Sequence, residues 1–190
     1  MLQYLVFLGA GAQLFGAISY ARETLRGDNK PNKVTWLMWA VAPIIATAAA
    51  ISDGVGWAVL PVFMAGFGPL LVFLSSFVNP NAYWKLERFD YICGACSVLA
   101  LVLWGITREP LVAIVFAIVS DGFAAVPTLI KLWKYPETES VAPFTTGLFS
   151  SLTSFAALRT FGFSEIAFPA YLAVINIALI AAFYRKKILG

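Results

Sequence analysis

Histidine is absent from this chain, cysteine occurs twice, and only 12% of the residues carry a charge. Each shortage removes a class of function. Without histidine there is no Ser–His hydrolase, and zinc loses its commonest nitrogen ligand. Cys93 and Cys96 are too few for a disulfide framework. They form a C-x-x-C inside an apolar stretch, where a metal would need two further ligands, so they read as small buried residues. No phosphate loop and no GxGxxG is present. The last apolar segment has no lysine for a retinal Schiff base, and one aspartate within the apolar segments is too little for a two-carboxylate hydrolase. The sequence therefore predicts no enzyme, no catalytic residue, no cofactor and no metal site.

What the chain has in excess is apolar surface: 61% of the residues are hydrophobic. The charges cluster between long apolar stretches rather than spreading through them. A bilayer core takes about 20 apolar residues per helix, and the alternation of a barrel strand is missing. Backbone groups cannot go unpaired in lipid, so the fold class is all-α integral membrane. Seven segments are predicted, at residues 2–20, 34–51, 57–78, 91–106, 111–132, 143–158 and 166–184. They are separated by Gly27-Asp28-Asn29-Lys30-Pro31, Ser52-Asp53-Gly54, Asn79-Pro80-Asn81, Arg108-Glu109-Pro110, Tyr135-Pro136-Glu137 and Phe161-Gly162. The start, Met1-Leu2-Gln3, lacks the basic region of a signal peptide although Ala10-Gly11-Ala12 mimics a cleavage site, and the first segment is expected to be retained.

The positions of the bases set an orientation. With seven crossings, Arg22, Arg26, Lys30, Lys33, Lys85, Arg88, Lys131, Lys134, Arg185, Lys186 and Lys187 share one side, and only Arg108 and Arg159 fall on the other. Cytoplasmic loops carry the excess of Lys and Arg. A plasma (inner) membrane protein follows, multi-pass, with its N-terminus outside and its C-terminus in the cytoplasm. The formal net charge of +3 is accounted for by topology, without a nucleic-acid partner. Trp57 and Tyr83-Trp84 are expected as interfacial anchors, and so are Trp36 and Trp39, the alternative for these two being a gate or a stacking surface.

Shifting the chain by 108 residues lays segments 1–3 on segments 5–7. Phe15 meets Phe123, Gln13 meets Asp121, Gly54 meets Gly162 and Pro61 meets Pro169. Loops and segment lengths stay in phase, and four intervening crossings make the repeats parallel. The organisation predicted is a first three-helix repeat at 1–78, linker helix 4 at 79–108, and a second three-helix repeat at 109–190.

This 3+1+3 plan resembles the SWEET and PQ-loop transporters. In sequence the resemblance is concentrated in residues 121–131, Asp121 to Pro127-Thr128 and Lys131, followed by Ser140 and Pro143. That is similar to the PQ-loop helix, with Thr128 in the place of the glutamine and Ser19-Tyr20 in the place of the dipeptide in the first repeat. The resemblance implies a solute pocket at the midplane between the repeats. It also implies that an asparagine of the third helix in each repeat lines that pocket: Asn176 matches, and its counterpart is Gly68.

Asp121 is the acid at mid-depth of helix 5. A charge there costs roughly 2.5–3.5 kcal/mol on insertion scales, so it must face protein or water. It reads as a proton, cation or solute site, or as a packing carboxyl bonded to a neighbouring helix. Asn176, Gln13, Ser150, Ser151 and Trp39 complete the candidate solute or proton pathway. Pro43, Pro69 and Pro127 are the candidate hinges, because proline removes a helix hydrogen bond and frees the carbonyls of Trp39, Ala65 and Phe123. The expected function is a secondary transporter or facilitator of a small polar solute (sugar, amino acid or vitamin) by alternating access, with proton coupling through Asp121. The alternative is a non-transporting membrane binding or scaffold protein. Membrane lipid is the other partner, and a homo-oligomer is compatible with all of this.

Overall fold

The computed structural model describes residues 2–188 and is all-helical, with no strand among the described residues. Its α-helices are α1 (Leu5–Arg26), α2 (Lys33–Ser52), α3 (Leu60–Ser75), α4 (Arg88–Thr107), α5 (Pro110–Lys134), α6 (Ala142–Phe155) and α7 (Phe163–Ile188). Six of the predicted segments therefore contain helices of membrane-crossing length and hydropathy. The exception is α6: its 14 residues span only about 21 Å at 1.5 Å each, against about 30 Å of hydrocarbon. This is the pattern of a multi-pass membrane protein. Phe15, Leu99, Val102, Ile106, Val174 and Ile177 form part of an apolar exterior, each at least 48% exposed, which suits lipid and not water.

Helix ends follow local chemistry. The first helix runs six residues past its predicted end because the polar Ala21–Arg26 stretch still suits a helix. It stops where Gly27 takes the left-handed conformation (φ 86°) and the amides of Gly27 and Asp28 turn back to Thr24 and Glu23. Asn32 caps α2, its Oδ1 accepting from the amides of Val34 and Thr35. Pro110 and Pro143 stand in the first turns of α5 and α6, where a missing N–H costs nothing.

The packing has a regular plan. In the first half, α3 packs on both α1 and α2, and α1 meets α2 through the rings of Tyr20 and Trp36; α7 likewise packs on both α5 and α6. Across the halves α1 packs on α6, and α2 on α5. Gln13 reaches the Pro61–Ala65 turn and Gly68 abuts Ala17, so α1 and α3 run parallel. Asp121 meets Tyr171 and Leu132 meets Arg185, so α5 and α7 run parallel too. Gly9 faces Thr153 and Gly16 faces Thr146, which makes α1 and α6 antiparallel. The absent side chains at Gly9 and Gly16 let these two backbones close up, as small residues do between membrane helices. The fourth helix lies outside this plan, against α5 and part of α2.

Candidate functional site

Six helices converge on a central cavity of about 60 Å³; α4 contributes none of its lining among the described residues. Its polar wall is Gln13 from α1, Asp121 from α5 and Asn176 from α7. Its aromatic wall is Trp36 and Trp39 from α2 and Phe144 from α6. Four pairs of lining residues are each 108 positions apart: Gln13 and Asp121, Trp36 and Phe144, Trp39 and Gly147, Gly68 and Asn176.

Asp121 is 2% exposed. Its Oδ2 accepts from the Tyr171 hydroxyl at 2.7 Å, while its Oδ1 is buried without a partner. The Trp39 indole donates to the Asp121 main-chain carbonyl at 3.4 Å. Among the described residues no lysine or arginine lines the cavity. Gln13, with its amide oriented to satisfy both ends, donates to Ser150 Oγ (2.7 Å) and the Pro61 carbonyl (3.3 Å) and accepts from the Ala65 amide (3.2 Å). Asn176 Nδ2 donates to the Leu172 carbonyl one turn back, at 2.8 Å.

The structure thus brings together Asp121, Asn176, Gln13 and Trp39. Ser150 and Ser151 are buried on α6 outside the lining: Ser150 holds Gln13, and Ser151 donates to Leu148 of its own helix. Pro43, Pro69 and Pro127 all lie inside helices. Pro69, Ala65 and Trp39 reach the cavity wall, and Pro43, Pro127 and Phe123 do not. The interfacial expectation for Trp36 and Trp39 is corrected: they are 2% and 7% exposed and pack edge to face at the centre. Trp36 packs against Tyr20 and Trp39 against Phe144, and the Trp36 Nε1 is buried without a partner among the described residues. Trp57 and Tyr83 are exposed. Cys93 is buried and both thiols are free.

Sequence reasoning missed what closes the basic end of the bundle. Lys131 Nζ and Glu139 Oε1 form an ion pair at 2.6 Å whose side chains are 1% and 0% exposed. The other Glu139 oxygen accepts from the Tyr20 hydroxyl at 2.5 Å. Lys131 also donates to the Lys30 carbonyl and sits 4.5 Å above the Trp84 ring. The Lys30 amide donates to the Thr138 carbonyl, and Asn32 donates to Asp90 at 2.8 Å. Four chain segments are tied together here: the end of α1, the α1–α2 loop, the α3–α4 loop and the α5–α6 connection. One signal was available, a lysine three residues inside the end of α5 with an acid eight residues later. Tyr171 was missed as well, although a phenol in the middle of an apolar helix needs a hydrogen-bond partner.

No protein-family model, curated protein or solved structure matches this chain.

Proposed function

We propose that the chain is a transporter of the SWEET/PQ-loop type, moving a small polar solute through the centre of a seven-helix bundle by alternating access. The observation that carries this proposal is the cavity wall, in which polar groups from α1, α5 and α7 converge at one level and one carboxylate oxygen of Asp121 is left unpaired. A scaffold packed for rigidity has no use for an unsatisfied buried carboxylate, which costs stability unless something binds it.

The architecture supports the same proposal. Four lining pairs at an offset of 108, matching packing orders in α1–α3 and α5–α7, and the reciprocal α1–α6 and α2–α5 seams suit two parallel repeats joined by α4. In such a bundle each half is a unit that rocks against the other around the central site. The cavity as it stands holds a few waters and no hexose, so a larger solute enters only when the halves part. At the basic end, parting the halves means opening the Tyr20–Glu139–Lys131 cluster. The solute proposed is of the sugar, amino acid or vitamin class, in a cytoplasmic membrane with the N-terminus outside.

Uptake of a radiolabelled solute panel into proteoliposomes, with and without a pH gradient, tests the proposal. Asp121→Asn is expected to fold and to lose transport or its dependence on the gradient, since an amide exchanges no proton. Unchanged gradient-dependent uptake in the variant would leave Asp121 a packing residue.

A further inference from the structure

We infer that the solute bound at this cavity is a small cation, and that it competes with a proton for Asp121. The inference rests on the cavity being a solute site and goes further by assigning the charge of its occupant. A carboxylate buried away from water needs a compensating positive charge. Around Asp121 the described residues supply none. From α7 the Tyr171 hydroxyl donates to it, and α7 has no other ionisable group between Glu165 and Tyr184. Packed α2 presents the Trp39 indole and carries no ionisable residue after Lys33. On α4, the other helix against α5, the ionisable groups between Asp90 and Arg108 are Tyr91, Cys93 and Cys96, none of them a cation. The nearest base along α5 itself, Lys131, is two to three turns away and already paired with Glu139.

The rest of the wall suits a positive charge. Trp36, Trp39 and Phe144 present aromatic surface to the cavity, and indole faces attract cations, most strongly where water is excluded. Gln13 and Asn176 add amide oxygens able to accept from an N–H donor. An anion would meet the carboxylate with no base beside it, and a neutral solute would bind beside the protonated acid without displacing its proton. The exchange balances simply: the carboxylic acid gives up its proton to water as the cation takes its place beside the carboxylate, so one positive charge leaves for each that arrives.

Guanidinium and urea separate charge from shape, being planar molecules of four heavy atoms each. Equilibrium dialysis of each radiolabelled compound against the full chain in nanodiscs, with empty nanodiscs as background, is the test. Guanidinium is expected to bind at least tenfold more tightly than urea. Its apparent Kd should rise about tenfold for each unit by which pH is lowered through the range where the proton occupies Asp121. Asp121→Asn should lose at least tenfold in guanidinium affinity, and Asp121→Glu should retain it. Urea binding within tenfold of guanidinium overturns the inference, as does guanidinium binding that is absent, independent of pH or unchanged in Asp121→Asn. The comparison of the two compounds on the unsubstituted chain decides alone if Asp121→Asn does not fold. Uptake separates the two proposals: cation binding without uptake removes the transporter and keeps the cation site, and uptake of a neutral solute without cation binding does the reverse.

Discussion

Replacing Glu139 by glutamine isolates the cost of opening the basic end. The amide keeps the shape and can still accept from Tyr20, so what is removed is the charge facing Lys131. Its ammonium, 1% exposed on the side chain, is then buried without its counter-ion. Removing one partner of a buried pair costs about 3–5 kcal/mol. The Trp84 ring at 4.5 Å stays in place in both proteins, so its π face cancels from the difference. The expected loss is about 3–5 kcal/mol, or a fall of roughly 6–20 °C in Tm for a chain of this size. Thermal unfolding of the purified protein in nanodiscs measures it. The double variant Glu139→Gln with Lys131→Met removes both charges and should return to within about 1 kcal/mol of the parent, because a desolvated pair exchanged for neutral groups is close to neutral. High salt should change little, since screening does not reach a pair buried from solvent. A single variant within about 0.5 kcal/mol of the parent, or a double variant as unstable as the single, would refute the claim that the ion pair closes this end.

Reporters at the two termini should read opposite sides of the membrane, with the C-terminal one cytoplasmic; two reporters on the same side would remove the odd number of crossings. Gly9→Val should destabilise the bundle by about 1–3 kcal/mol through overpacking, because even a Cβ at Gly9 lies 3.0 Å from the Ser150 main chain on α6; a variant as stable as the parent would show that the α1–α6 seam is looser than described. Gly147→Ala places its methyl 3.0 Å from Asn176 Oδ1, so solute affinity should fall several-fold while Tm moves by a few degrees at most. Equal losses in both would make Asn176 a packing residue.

Where the chain leaves water was legible from the residues alone. Seven apolar runs between charged punctuators correspond to α1–α7, because the bilayer demands runs of about 20 residues whatever else the protein does. The same residues singled out Asp121, Gln13, Asn176 and Trp39, since a polar group at membrane depth has to face something other than lipid. Hydropathy does not say which neighbour it faces. Ser150 and Asn176 looked alike in the sequence; the rotation of α6 turns Ser150 onto Gln13, while that of α7 turns Asn176 into the cavity. Trp36 looked like a surface anchor because it lies three residues from the start of α2, but Tyr20 of α1 and Trp39 pack against its ring and bury it. Lys131 was counted only among the bases of one side, and Glu139 was not singled out. Their pairing depends on Tyr20, 119 residues from Glu139, and on the Lys30 carbonyl and Trp84, all brought to one point by α1 packing against α6 and α2 against α5. Burial depth follows from the local run of side chains and is written along the chain; contacts between helices depend on how each is turned about its own axis, and only the packing of all of them together settles that.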